Sequence, residues 1–254
     1  MENEEEKDII NNENNNNQNN EITKNVQNPL KQNAPYIMSL NPSSSFDMCF
    51  KVVIIGNCGV GKTCITNRAV KSQFEGNYRS TIGLEYFTMF IKINNKIIKL
   101  QVWDTCGQEM YRSLISNYYR NSSLAIIVYS ITDLNSFKDI DIWIKELKSM
   151  SSPDIKLMLI GNKVDLIEDR KVSYNEGKNL VNDYGFHFFS ETSAKTGENI
   201  EKIFIKAARL VYEDYLTYED EISDKSSAFS KGQSQNTSLK LNMKKKHQTH
   251  NKCC

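Results

Sequence analysis

The clearest pattern along the chain is a set of short, uninterrupted apolar runs. Residues 52–55, 124–130 and 155–161 are runs of this kind, which are typical of parallel strands buried on both faces of a sheet. A shorter run at 186–190 predicts a further strand. Between and after these runs we predict helices over 62–72, 136–150, 175–184 and 200–215. Apolar residues recur with helical spacing at 136–150 and 200–215.

Two further strand-like segments, 86–93 and 97–103, are joined by Asn94-Asn95, and the three together predict a tight hairpin. Strands that alternate with helices indicate a doubly wound α/β fold. We therefore predict a mostly parallel six-stranded sheet with one antiparallel strand. Ligands of such sheets bind at the carboxyl ends of the strands.

Composition divides the 254 residues into three parts. Residues 1–46 are rich in Asn and Glu and are predicted to be disordered, either as an interaction arm or as an extension without function. Residues 47–217 are the predicted globular domain, and 218–254 are a predicted flexible tail. The two ends carry opposite charge, since eight acids stand against three lysines before residue 48, whereas seven lysines and no acid follow from Lys225 onward.

The whole-chain balance of 32 Lys and Arg against 31 Asp and Glu favours no particular partner, and no nucleic-acid partner is expected. The spacing of the six cysteines matches no zinc site. No apolar stretch approaches 18 residues, so no membrane span is expected.

A phosphate-binding loop follows the first apolar run, with the sequence Gly56-Asn57-Cys58-Gly59-Val60-Gly61-Lys62-Thr63-Cys64. It has the G-x-x-x-x-G-K-[ST] spacing between a strand and a helix. The glycines let the backbone approach a phosphate, and the helix N-terminus directs N–H groups at anionic oxygens. Lys62 would balance phosphate charge, and the Thr63 hydroxyl can ligate Mg²⁺. The alternative is a glycine-rich turn that binds nothing.

The base preference is indicated by Asn162-Lys163-Val164-Asp165, which directly follows a buried run. The Asp165 carboxylate can accept hydrogen bonds from N1–H and the exocyclic amine of guanine, an edge that adenine lacks. Leaving such a buried acceptor unpaired costs about 1–3 kcal/mol. Ser193-Ala194-Lys195 could add a backbone N–H at the guanine carbonyl and a lysine stem over the ring. An ATP-using P-loop enzyme is the alternative, which competition between GTP and ATP would distinguish.

Over about residues 48–216 the chain resembles the Rab family of Ras-superfamily small GTPases. Five nucleotide motifs stand in the family's order at 56–63, Thr81, 104–108, 162–165 and 193–195. The segments at 82–86, 99–104 and 127–132 also resemble Rab sequences. The resemblance implies the P-loop small GTPase fold for 47–217 and a hypervariable tail for 218–254.

The resemblance also implies the roles of individual residues. Thr63, Thr81 and Asp104 are the expected Mg²⁺ set. Gly107 is expected to donate its N–H to the γ-phosphate, and Gln108 is the expected catalytic residue because it would orient the attacking water. The expected nucleotide-binding residues are Gly56, Asn57, Cys58, Gly59, Val60, Gly61, Lys62, Thr63, Cys64, Phe74, Thr81, Gly107, Asn162, Lys163, Asp165, Ser193, Ala194 and Lys195.

Two aromatic expectations follow from the same resemblance. Phe74 is expected to stack on guanine. Tyr86, Trp103 and Tyr118 are expected to form an aromatic surface that effectors bind, although the three rings could instead be part of the core.

The terminal pair Cys253-Cys254 resembles the geranylgeranylation site of Rabs. Two lipid chains with a basic stretch at Lys244–Lys246 would give stable membrane attachment, whereas a solvated lysine-rich tail is the alternative. The resemblance thus implies a monomeric, membrane-anchored GTP/GDP switch that hydrolyses GTP and recruits effectors to regulate vesicle traffic. It would act on the cytoplasmic face of an endomembrane compartment and cycle with the cytosol. The implied partners are an exchange factor, a GTPase-activating protein, a GDP-dissociation inhibitor or escort protein, a prenyltransferase and effector proteins.

Two cysteines depart from the family pattern. Cys58 occupies a loop position that is often Gly or Ser, and Cys106 replaces the usual alanine. Our hypothesis is normal nucleotide binding with slower hydrolysis, and the extreme alternative is a scaffold that does not hydrolyse GTP. A third interpretation treats both as small buried residues. Single-turnover GTP hydrolysis by a Cys58→Gly variant tests the hypothesis, and an unchanged rate would contradict it.

Overall fold

A mixed β-sheet with helices on both faces organises the protein, as seen in a computed structural model that describes residues 34–74, 81, 83–107 and 116–229. Within these residues the strands are β1 (Tyr36–Met38), β2 (Met48–Ile55), β3 (Leu84–Ile93), β4 (Lys96–Thr105), β5 (Leu124–Ser130), β6 (Lys156–Asn162) and β7 (Phe188–Thr192). The helices are α1 (Lys62–Lys71), α2 (Leu134–Lys138), α3 (Ile140–Met150), α4 (Tyr174–Tyr184) and α5 (Ile200–Phe229). Two short 3-10 helices lie at Ser116–Tyr119 and Ile167–Asp169.

The sheet has the strand order β1-β3-β4-β2-β5-β6-β7. β3 pairs antiparallel with both of its neighbours, and the remaining pairs are parallel. β3 is therefore the one strand that runs against the others, which confirms the predicted doubly wound, mostly parallel sheet. The predicted count of six strands is wrong for the described residues, because β1 adds a seventh.

The additional strand β1 lies inside residues 1–46, and here the structure differs from the predicted disorder. Ile37 pairs with Ile91 of β3 and packs against the core, whereas Tyr36 is exposed. After this segment, Asp47 ties the chain before β2 to the start of β4, since its carboxylate accepts from the Ile97 N–H at 2.7 Å and from Lys96 Nζ at 3.0 Å. Three residues carry too little pattern to predict a strand, and β1 depends on the open edge that β3 offers.

Two helices differ from their predicted limits. The predicted helix 136–150 is divided at Asp139, which ends α2 and is the N-cap of α3. α5 continues to Phe229, beyond the predicted end near 215 and the domain limit at 217. Contacts one turn apart support the extension, because the Tyr215 hydroxyl donates to Glu219 and the Thr217 hydroxyl donates to the Glu213 carbonyl. Within the described part of the chain, no helix is both long and apolar enough to cross a membrane.

Alternating residues of the central strands face two separate apolar layers. Val52 and Ile54 of β2 belong to the layer that contains Phe204 of α5. Val53 and Ile55 belong to the opposite layer, which contains Trp143 of α3. Because both faces of the sheet are covered, its loops are the accessible parts, and the parallel register brings the loops after β2, β4, β6 and β7 to one edge.

We predict that Ile37→Asp lowers the free energy of unfolding by about 1–3 kcal/mol, because it places a charge where β1 packs against the core. Tyr36→Asp is the matched control, since its side chain is 45% exposed on the other face of the same strand. Urea denaturation of both variants measures the difference. Equal effects would mean that β1 does not contribute to the folded domain.

Candidate active site

The phosphate loop joins β2 to α1, and close packing around it requires glycine at two positions. A Cβ at Gly56, where φ is 139°, would lie 2.1 Å from the Val128 carbonyl oxygen. Gly61 has a φ of 97° and is the N-cap of α1, and a Cβ there would lie 2.4 Å from Asn162 Nδ2. The N–H groups at the start of α1 have no acceptor within the helix. The loop therefore has the form that binds anionic oxygens.

Lys62 directs a buried ammonium group into this loop. Its Nζ donates to the carbonyl oxygens of Gly56 at 2.7 Å and Asn57 at 2.8 Å. Only 5% of the residue is exposed, and burial lowers its pKa to about 8, against the opposing effect of the Asp104 carboxylate. Both hydrogen-bond acceptors are neutral, so an anion bound in the loop would stabilise the charged form of Lys62.

Three oxygen-bearing side chains meet beside the loop. Thr63 Oγ1 donates to Asp104 Oδ2 at 2.5 Å and lies 2.7 Å from Thr81 Oγ1. Asp104 is fully buried, and burial raises its pKa to about 6. Its second oxygen, Oδ1, is buried and has no hydrogen-bond partner among the described residues. Hard oxygen donors and an unsatisfied carboxylate fit Mg²⁺, which prefers oxygen ligands.

Hydrogen bonds of the Asn162 side chain connect the phosphate loop to the loops after β6 and β7. Its Nδ2 donates to the Val60 carbonyl at 2.9 Å. Its Oδ1 accepts from the Ala194 N–H at 3.2 Å and from Thr192 Oγ1 at 3.3 Å. Asn162 is 2% exposed. Its side-chain amide hydrogen-bonds to other parts of the protein, so this predicted site residue holds the loops together.

The Asp165 carboxylate is held by the loop after β7. Oδ1 accepts from Ser193 Oγ at 2.6 Å, and Oδ2 lies 3.9 Å from Lys195 Nζ. Ser193 Oγ in turn accepts from the Thr196 N–H at 3.0 Å. The side chain of Asp165 is 12% exposed. The arrangement leaves a fixed, partly accessible carboxylate next to a lysine, as a guanine-binding edge requires.

Gly107 lies against the backbone of the phosphate loop. A Cβ at Gly107 would be 2.3 Å from the carbonyl carbon of Asn57 and 2.4 Å from the Cys58 nitrogen. The Asn57 side chain also reaches away from the loop to Asp139 and Trp143, two residues outside all predicted motifs. Neither contact leaves a signal in the sequence, because 82 and 86 residues separate the partners.

Comparison with known proteins identifies the family. The family model described as the Ras family matches residues 51–213, more than half of the chain. The chain belongs to the Ras family. Members of this family are GTPases that hydrolyse GTP, which confirms the activity expected from the sequence.

Relatives of this Ras-family GTPase carry Rab names. The putative ras-related protein Rab-5B of Dictyostelium discoideum is 40% identical over 191 residues, which cover 74% of this chain and 88% of that protein. Ras-related protein Rab-8B of Homo sapiens is 41% identical over 167 residues, which cover 66% and 80%. The Rab resemblance is thereby confirmed, and the GTPase is a small switch of the kind involved in vesicle traffic.

Three of the aromatic residues predicted from the Rab resemblance are in contact. The Tyr86 and Trp103 ring centroids are 5.2 Å apart, and those of Trp103 and Tyr118 are 5.5 Å apart. Tyr86 and Tyr118 are 46% and 38% exposed. The two tyrosines are therefore at the surface, which is contrary to the alternative that all three rings are core.

The remaining predicted residues of this GTPase have varied surroundings. Phe74 is 37% exposed, and its stacking on guanine stays a prediction. Cys58 is exposed and Cys106 is buried, so the interpretation of both as small buried residues holds for Cys106 alone. Gln108, Cys253 and Cys254 lie outside the described residues.

We predict that Asp104→Asn changes the stability of the chelator-treated, nucleotide-free GTPase by no more than about 1 kcal/mol, because the isosteric amide also relieves a buried charge. The same variant loses at least about 1.4 kcal/mol of the stabilisation given by Mg²⁺ and GTP, which corresponds to tenfold weaker binding. Thermal unfolding measures both effects.

Asp183→Asn, at an exposed carboxylate of α4, is the control for this prediction. Unchanged stabilisation of Asp104→Asn by Mg²⁺ and GTP would exclude Asp104 from the metal site.

Proposed function

We propose that this GTPase is a membrane-anchored GTP/GDP switch in which the described loops bind the nucleotide. The proposal is supported by the meeting, at one sheet edge, of a buried lysine, three oxygen-bearing side chains and a partly exposed carboxylate. Lys62 and the N–H groups of the loop bind the β- and γ-phosphates. Thr63, Thr81 and Asp104 hold Mg²⁺, which when bound neutralises charge on the phosphate oxygens.

Asp165 selects guanine by accepting two hydrogen bonds from the base. The Ser193 hydroxyl orients this carboxylate, and the aliphatic stem of Lys195 lies over the ring of the base. Adenine offers this partly buried carboxylate no pair of donors, so the hydrogen bonds that guanine makes to it would be lost. The preference for GTP over ATP therefore depends on a residue far from the phosphates.

Hydrolysis in this proposal requires positioning and electrostatic stabilisation, and no side chain forms a covalent intermediate. Gln108 orients the attacking water, and the Gly107 N–H donates to the γ-phosphate as charge develops on it. The intrinsic rate is slow, and a GTPase-activating protein supplies further positive charge. When the γ-phosphate leaves, Thr81 and Gly107 lose their contacts with it, and the surface that partners bind changes.

The proposed switch acts through partner proteins at a membrane. Effectors bind the exposed face formed by Tyr86, Trp103 and Tyr118 in the GTP-bound state, and an exchange factor restores that state. Prenyl groups on Cys253 and Cys254 attach the monomer to the cytoplasmic face of an endomembrane compartment. A prenyltransferase adds them, and a GDP-dissociation inhibitor or escort protein carries the GDP form through the cytosol.

We predict that Asp165→Ala weakens GTP binding at least about 100-fold, because two charge-assisted hydrogen bonds to the base are lost. ATP binding should stay equally weak in both proteins. Equilibrium binding of each nucleotide in excess Mg²⁺ measures the ratio. Asp169→Ala, an exposed acid in the same loop, is the control and should retain the preference. An unchanged GTP-to-ATP ratio in Asp165→Ala would contradict the proposed base site.

We predict that the double variant Cys253→Ser/Cys254→Ser moves from the membrane to the soluble fraction of cells while its GTP affinity is unchanged. Each lipid chain contributes apolar burial that a serine cannot replace. Fractionation of cells that express an N-terminally tagged chain gives the answer, with Ser238→Ala in the same tail as the control. Retention of the double variant on membranes would refute lipid attachment at these cysteines.

A further inference from the structure

The side chain of Asn57 connects the phosphate loop to the junction of α2 and α3. Its Nδ2 donates to Asp139 Oδ2 at 2.6 Å, and its Oδ1 accepts from Trp143 Nε1 at 2.7 Å. Trp143 is fully buried in the apolar layer beneath α3. Both ends of the carboxamide are engaged, one of them by a charged acceptor, so its orientation is fixed.

The backbone of the same residue contacts two groups that the proposed function uses. The Asn57 carbonyl oxygen accepts from Lys62 Nζ at 2.8 Å. The Asn57–Cys58 peptide also forms the surface against which Gly107 lies, where there is no room for a Cβ. The position of this one peptide therefore determines how closely Gly107 approaches the loop.

We propose that Asp139 and Trp143 are positioning residues for GTP hydrolysis, which act through Asn57. They hold the Asn57–Cys58 peptide in the position that lets the Gly107 N–H reach the γ-phosphate. This inference rests on the proposed role of Gly107. Hydrolysis is sensitive to such placement, because a misplacement of about 1 Å can cost about 100-fold in rate. GDP lacks the γ-phosphate, so its binding depends much less on this peptide.

The chemistry of the contact provides a sharp test by exchange of the two residues. In Asn57→Asp, two carboxylates face each other at the position of the 2.6 Å hydrogen bond, and their repulsion shifts the Asn57–Cys58 peptide against which Gly107 lies. Asp139→Asn alone keeps a neutral hydrogen bond and is the milder change. In the double variant Asn57→Asp/Asp139→Asn, the new amide at 139 donates to the new carboxylate at 57. The Trp143 indole N–H still has its acceptor.

The experiment measures the rate of single-turnover GTP hydrolysis and the equilibrium affinity for GDP in the full chain with Mg²⁺. We expect Asn57→Asp to lower the hydrolysis rate at least tenfold while GDP affinity changes less than threefold. The double exchange should restore hydrolysis to within threefold of the natural chain. Trp143→Phe, which replaces the indole by a smaller aromatic ring and removes the N–H, should lower the hydrolysis rate more than it lowers the affinity for GDP. If Asn57→Asp fails to fold, Trp143→Phe still tests the proposal.

Asp141→Asn is the matched control on the first turn of α3, and hydrolysis by it should be unchanged. The inference is overturned if Asn57→Asp hydrolyses GTP within twofold of the natural chain. It is equally overturned if the double exchange does not improve on Asn57→Asp, or if GDP affinity falls as much as the hydrolysis rate. Failure of the natural chain to bind GTP would instead refute the proposed function, which separates the two results.

Discussion

The whole site depends on the hydrogen bonds of the buried Asn162 carboxamide. It joins the Val60 carbonyl of the phosphate loop to the Ala194 N–H after β7, across two strands of the parallel sheet. A buried polar group left without its partner costs about 1–3 kcal/mol. Moving either loop away from Asn162 would therefore destabilise the fold. The phosphate loop and the loop that carries Ser193 and Ala194 are therefore joined, which fixes the position of the Asp165 carboxylate, the proposed guanine acceptor, relative to the phosphate loop.

The site also carries charges that the fold alone does not favour. Burial lowers the pKa of Lys62 and raises that of Asp104, which means that each group is less stable in its charged form than it is in water. Asp104 Oδ1, which has no hydrogen-bond partner within the part of the chain that the structure describes, adds to this cost. Such groups are stabilised by ligands of opposite charge, and any ligand that binds only the folded state raises its stability. Function and stability are therefore linked through the same two side chains.

The sequence was informative wherever a local pattern reflects a physical need. Apolar runs without polar alternation predicted β5 and β6, because strands covered on both faces need no such alternation. The glycines at 56 and 61 predicted the loop, because close packing leaves no room for Cβ atoms. Other features depend on distant partners. β1 needs the edge of β3, and the division at Asp139 lies within a continuous helical pattern. The links from Asn57 to Asp139 and Trp143 have no local signature, so only the three-dimensional structure reveals them.

In the proposed switch, the Gly107 N–H donates to the γ-phosphate beside the phosphate-loop backbone. Amide hydrogen exchange at Gly107 tests this contact, in the presence of Mg²⁺ with either GDP or a non-hydrolysable GTP analogue. Ala194 provides an internal reference, because its N–H is already bonded to Asn162. We predict that the Gly107 amide exchanges more slowly with the GTP analogue than with GDP, while Ala194 exchanges equally in both. Equal exchange at Gly107 in the two states would contradict it.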